Sequence, residues 1–217
     1  MEDDPSRRTI RLATPEDLTY LDKLQKKFGN SVGFFCRQAL LWNLERGNAA
    51  IASENDEPAG YLLTRPALQW QPALASIFQA CVQMDAQRRH HGVALLKAFE
   101  EKCRIRGSIA IQANCAIGVE ANEFWRLAGF LPICHMTPHN VRGREVICWR
   151  KPLSTRLPAW FAFPPQRAGY GARRPVSKRD PNRRIDHVAL ALRYLSASPR
   201  GTDKEEIRGP AQENRAA

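Results

Sequence analysis

The chain has 217 residues, with 33 Lys and Arg against 22 Asp and Glu for a net charge of +11. That length suits one domain of about 150 residues with an appendage, or two small domains. No uninterrupted apolar run approaches the roughly 18 residues of a membrane span, and Met1-Glu2-Asp3-Asp4-Pro5 is neither basic nor apolar as a signal peptide would be, so a cytoplasmic, membrane-free protein is expected.

Thr9 to Ala13 reads as a first strand. Thr14-Pro15-Glu16-Asp17 then supplies an N-cap, a proline at the first helical position and acids in the first turn. Leu18, Leu21, Leu24 and Phe28 recur at helical spacing, and Gly29 and Asn30 stop the segment. A second helix is expected from Gly33 to Arg46, followed by an antiparallel hairpin of Ala49 to Ser53 and Gly60 to Thr64. The strand Ala75 to Met84 alternates Gln79, Cys81 and Gln83 on one face with Phe78, Ala80, Val82 and Met84 on the other. After the loop Gln87 to Ala94 comes a helix from Gly92 to about Arg106. A strand at Ile109 to Ile111, a short helix at Ala121 to Ala128 and a closing pair of strands, Leu131 to Met136 and Glu145 to Trp149, complete the pattern. Strands mixed with helices in this way indicate one α/β or α+β sheet covered by helices.

Beyond Leu153 the texture changes. Seven prolines between Pro158 and Pro210 are interspersed with arginines, which argues against a packed core. Residues 1–150 hold 19 basic and 16 acidic residues, net +3, whereas 151–217 hold 14 and 6, net +8. The expected division is therefore a folded domain, 1–153, and a basic, largely disordered extension, 154–217, suited to non-specific contact with nucleic acid. Within it, Trp160 to Phe163 could dock on the domain, and His187 to Ser196 could form a short amphipathic helix. Six scattered cysteines read as free thiols. Cys134, His135 and His139 lack a companion ligand pair, so no metal is expected.

The loop Gln87-Arg88-Arg89-His90-His91-Gly92-Val93-Ala94 carries the chemistry. A glycine-containing turn passing directly from strand to helix leaves the first helical N–H groups unpaired at the positive end of the helix dipole, where a phosphate can be held. Taken with Phe124-Trp125 and Gly129-Phe130 about 35 residues later, the loop resembles the GNAT N-acetyltransferase superfamily. That family carries Arg/Gln-x-x-Gly-x-Gly/Ala after its fourth strand, matched at Arg89, Gly92 and Ala94, and then an aromatic pair, three spacers and Gly-Phe.

The resemblance implies a mixed, mostly antiparallel sheet with helices on both faces and a splay between the fourth and fifth strands. It further implies acetyl-CoA as acetyl donor. The pyrophosphate would be held at Arg89, His90, His91, Gly92, Val93, Ala94 and Leu95. The pantetheine arm would pair with the backbone at Val82 and Met84, with Trp125 as a further contact; Gly118 stands where the family has an asparagine, and Asn122 is the substitute contact expected in its stead. The Val82 N–H would stabilise the oxyanion while an amine attacks directly, a type of donor often worth about 3 kcal/mol. Two further positions depart from the family. Trp125 stands where many members have a tyrosine acid, and Phe78 where some have a glutamate base, so the general acid and base stay unassigned. The acceptor is an unknown amine, whether small molecule, peptide or aminoacyl-tRNA, and a homodimer is compatible with the pattern. The alternative is a catalytically silent GNAT-like binding or regulatory module.

Overall fold

The computed structural model describes residues 8–29, 31–69, 71–136 and 145–162. The extension from residue 163, with its expected nucleic-acid contacts and the His187 to Ser196 segment, and the 137–144 loop with His139 lie outside them. Seven strands form one sheet in the order β1-β2-β3-β4-β5-β7-β6. They are β1 Arg8–Leu12, β2 Ala49–Glu54, β3 Glu57–Arg65, β4 Leu74–Val82, β5 Ala110–Ala116, β6 Leu131–Met136 and β7 Val146–Pro152. Every pairing is antiparallel except β4 with β5. That parallel pair requires a crossover, and α3, His91–Ile105, provides it.

Helices cover both faces. On one, Leu95, Leu96, Phe99 and Cys103 of α3 and Trp125 of α4, Ala121–Leu127, pack on Leu62, Ala75 and Ile111. On the other, Leu21 and Leu24 of α1, Leu18–Lys27, join Leu40 and Leu44 of α2, Arg37–Glu45, over Ile51, Tyr61 and Leu63. The β2–β3 turn is tighter than expected, because Asn55 and Asp56 both take positive φ, +51° and +65°, as a two-residue hairpin requires. No helix among the described residues is long and apolar enough to cross a membrane.

Two expected boundaries move for identifiable reasons. The second helix begins at Arg37 rather than Gly33, because buried glutamines hold the backbone before it. Gln25 accepts from Phe35 N and donates to Phe35 O, at 3.0 and 2.7 Å, while Gln79 Nε2 donates to Gly33 O and, at 3.0 Å, to Gln25 Oε1. The fold also continues past 153. A 3-10 turn, Ala159–Ala162, brings Phe161 to 2% exposure against Leu74, Ala110, Ile133 and Cys148, where Arg150 Nη1 donates to its carbonyl at 2.9 Å. The described fold thus continues to Ala162; of the Trp160 to Phe163 stretch expected to dock, Phe161 is packed on the domain and Phe163 lies outside the described residues.

Asp22 ties α1 to α2. Its buried carboxylate accepts from Lys26 at 2.8 Å, Gln25 at 3.1 Å and Arg37 at 3.1 Å. The Lys26 bond, joined by those of Gln25 and Arg37, outweighs desolvation and holds the carboxyl below the usual range. A carboxylate with a depressed folded pKa contributes stability that is fully present above its unfolded value and lost as pH falls through the folded one. Asp22→Asn therefore lowers the melting temperature at neutral pH, and the gap from wild type closes below about pH 4. Thermal melts across an acid series check this; a gap independent of pH would contradict it.

Candidate active site

The site begins with a backbone irregularity. In the β3–β4 ladder Leu63 pairs with Gln79 and Thr64 with Ile77, leaving Phe78 as an extra residue in β4. A bulge of this kind bends its strand and resets the side-chain alternation. Ile77 accordingly packs toward α3, while Phe78 and Cys81 pack toward α1 and α2. The expected face shared by Phe78, Ala80 and Val82 is broken there, since Ala80 lies with the α3 cluster. The bulge coincides with the end of β4–β5 pairing, which runs only from Leu74/Ala110 to Ile77/Ala113. Beyond it β4 and β5 splay apart, and a cleft of about 610 Å³ opens between them.

Val82 ends β4 on this cleft. Gln83 N donates to Ala59 O at 2.8 Å, and alternate residues of an antiparallel strand bond to the same neighbour. The N–H of Val82, opposite Gly60, therefore faces the splay, where β5 has diverged. Its carbonyl takes a 3.3 Å hydrogen bond from Gln87 Nε2. Met84 is no longer part of the strand. It starts a 3-10 turn, Met84–Ala86, and is 80% exposed, so the strand-like edge expected to reach it stops at Val82.

Next comes the turn into α3. Arg88 and His90 both occupy the left-handed region, φ +63° and +66°, a conformation that costs roughly 1–2 kcal/mol for a residue with a Cβ. His90 is the N-cap, and the first helical bond of the chain here is Ala94 N to His90 O, 2.9 Å. The amides of His91, Gly92 and Val93 thus precede the helical ladder, and all three residues line the cleft. The expected cradle was longer. Ala94 already donates within the helix, and Leu95, 1% exposed, belongs to the core.

This geometry also shifts the motif. Counted from Gln87 rather than Arg89, the pattern Gln-x-x-Gly-x-Gly falls on Gln87, His90 and Gly92. The left-handed position that favours glycine is then occupied by His90. Gly92 meets a different need, close approach: a Cβ there would lie 3.4 and 3.6 Å from the Phe124 ring and 3.9 Å from Val82 Cγ2.

Charges surround the turn. Arg89 donates to Glu54 at 3.0 Å and Arg88 pairs with Glu120 at 2.5 Å. The Arg89 bond holds the Glu54 carboxyl below its usual range. His91, 1% exposed, has neither ring nitrogen hydrogen-bonded, although its Nε2 lies 3.5 Å from Glu54 Oε2.

Asn122 and Trp125 are placed as supports of the cleft wall. The Asn122 amide donates to Ala116 O and Val119 O at 2.8 and 2.9 Å and accepts from Trp149 Nε1 at 2.9 Å. Both its donors and its acceptor are engaged, which leaves it clamping β5 to α4 rather than free to meet a ligand. Trp125, 5% exposed, packs edge-on between Phe124 and Phe130, each centroid 5.0 Å away. Burial pushes the Cys115 thiol up to about 11, with the neighbouring Trp125 side chain acting the other way. Among the described residues lining the cleft the carboxylates are Glu120 and Glu123, on the α4 side, and Glu123 pairs with Arg126. No group of three or more His, Cys, Asp or Glu among the described residues could hold a metal ion. Residue types alone do not reveal Glu54 or Cys115 as neighbours of the site.

Comparison with known proteins points the same way as the splay and the turn. Ard1 from Thermoplasma volcanium superposes with a TM-score of 0.58 at 15% identity, over 67% of this chain and 97% of its own. The ribosomal-protein-S18-alanine N-acetyltransferase from Escherichia coli gives 0.55 at 18%, over 68% and 95%. YncA from Salmonella typhimurium, solved with acetyl-CoA, gives 0.57 at 16%, over 68% and 94%. At such identities these likenesses establish the fold. Among curated protein sequences no relative matches. The family model for the acetyltransferase (GNAT) family matches residues 18–130, more than half of the chain and every element that forms the cleft, and by that match the chain belongs to the GNAT acetyltransferase family.

Proposed function

We propose that this protein transfers the acetyl group of acetyl-CoA to a primary amine by direct attack. The observation that carries the reading is the bulge at Phe78, which opens β4 from β5 and leaves the Val82 N–H facing the cleft beside the unpaired amides of His91, Gly92 and Val93. Those amides and the positive end of the α3 dipole suit a pyrophosphate, and Gly92 lets it approach the backbone. The free edge of β4 suits the pantetheine arm. The bound thioester supplies the acetyl group and a thiolate leaving group. Val82 N–H, fixed by the strand, donates to the carbonyl oxygen as its charge grows. With Phe78 at the base position and the cleft carboxylates on the α4 side, the amine enters neutral or loses its proton to water. Trp125 protonates nothing, because an indole N–H is a donor and not a useful acid.

Val82→Pro removes that N–H without breaking a β3 bond, since the donor faces away from β3. The expected result is a kcat for thiol release lower on the order of a hundredfold, with a much smaller loss of acetyl-CoA affinity in calorimetry. Wild-type turnover in Val82→Pro would reject the oxyanion role. Trp125 and Phe78, neither of which can act as acid or base, favour one second reading, a catalytically silent module that holds the cofactor. Cofactor binding without thiol release across amines, peptides and aminoacyl-tRNAs would select it.

A further inference from the structure

Beside Phe78, a residue that lines the cleft, two guanidiniums converge on one indole. Arg46 Cζ lies 3.9 Å from the centroid of Trp42, and Arg65 Cζ lies 5.6 Å from the same ring. Arg65 also sits 5.3 Å from the ring of Phe78, the bulge residue that lines the cleft, and Phe78 in turn meets Phe35 at 6.0 Å. These contacts leave the half-buried Arg65 side chain next to Phe78, which packs on the α1 and α2 side where the splay begins. No carboxylate lies within 4 Å of Arg65 among the described residues, and the nearby acid, Glu45, stands 3.9 Å from Arg46 and is itself about half exposed. Like charges gathered near one ring with so little compensation raise the local potential, and a planar guanidinium lodged beside aromatic rings keeps its N–H fork available to an oxyanion.

We propose that Arg65 is a specificity-determining residue that holds an anionic group of the acceptor, a carboxylate or a phosphate carried on the same molecule as the amine. The inference rests on the acetyl-transfer reading and narrows it: the substrate class is an anionic amine. Its amine reaches the splay past Phe78 while its anion stays outside that ring on Arg65. Arg46 supports the same anion electrostatically across the Trp42 ring. Carboxylate and phosphate share this chemistry, so the test must separate them.

The test uses full-length protein and matched acceptors: a carboxylate-bearing amine against its carboxamide, and a phosphoserine peptide against the serine peptide. Thiol release should favour the anionic member of one pair by about tenfold in kcat/KM, the worth of one charge-assisted hydrogen bond, with the difference in KM. Arg65→Lys should keep part of that preference and Arg65→Ala should lose it, while acetyl-CoA affinity is unaltered in both. Equal rates within both pairs, or a preference that survives Arg65→Ala, would overturn the proposal. Should no acceptor react, acetyl-CoA calorimetry judges the donor reading separately. Arginine Nε NMR with glutarate and with inorganic phosphate then judges Arg65. A titrating resonance that is missing in Arg65→Lys supports the anchor, and the absence of any shift at tens of millimolar refutes it.

Discussion

Gly92→Trp is expected to weaken acetyl-CoA binding by about 10³-fold, whereas Gly92→Ala stays close to wild type. The contrast follows from the geometry of the first turn of α3. A Cβ at residue 92 meets the Phe124 ring at 3.4 Å and Val82 Cγ2 at 3.9 Å, which is tight for a methyl but tolerable if the ring yields slightly. The backbone poses no obstacle, because Gly92 is not among the positive-φ residues of the chain; those in this turn are Arg88 and His90. An indole has no such room. It must either displace Phe124 or project into the space between Val82 and the amides of His91 to Val93. Occupying that space removes at least two hydrogen bonds to a charged group, each worth about 1.5–3 kcal/mol. Calorimetry with both variants, beside a thermal melt to establish folding, checks the pair. A folded Gly92→Trp protein that binds like wild type would place the pyrophosphate elsewhere and remove the basis for the cradle.

The element order, the antiparallel hairpin and the strand-turn-helix passage were legible because each depends on local signals: the cap and proline at Thr14-Pro15, the helical spacing of Leu21 and Leu24, the glycines that stop helices. The bulge was not legible. Phe78 looks like any apolar member of an alternating strand, and only the pairing partners Leu63 and Thr64 on β3 reveal that it is an extra residue. Its consequences, the splay and the outward Val82 N–H, follow from tertiary register that no window of sequence contains. The start of α2 was misjudged for a related reason, since Gly33 and Phe35 are bonded by Gln79 and Gln25, the former 46 residues from its partner. Within the motif the resemblance located the loop but not its register. Arg89, read as the first motif residue, instead pairs with Glu54, and His90 takes the conformation for which glycine is suited. Asn122 reads in the sequence as a polar side chain near the loop, and its three internal hydrogen bonds are not legible from residue type.

Arg150→Ala should destabilise the domain by about 3–5 kcal/mol, the combined cost of stranding buried acceptors and opening a cavity. Arg150 is 1% exposed in β7, and burial pushes its guanidinium below its ordinary pKa. Nε and Nη2 both donate to Gln112 Oε1 at 3.0 Å, across the β5–β7 ladder, and Nη1 donates to Phe161 O at 2.9 Å. Truncation to alanine strands both oxygens and leaves a cavity between the sheet and the segment that carries Phe161. Urea unfolding of full-length protein measures the loss. The Phe161 contact supplies an internal control, because a chain ending at Leu153 lacks the same carbonyl and the same buried ring as one ending at Ala162 retains. The shorter chain should be less stable than the longer one, and Arg150→Ala should cost less in it, since part of the network is already gone. Equal costs in the two chains would mean that the bond to the Phe161 carbonyl contributes nothing to what Arg150 stabilises, and that the segment after β7 adds nothing to the fold that positions β4 and β5 around the cleft.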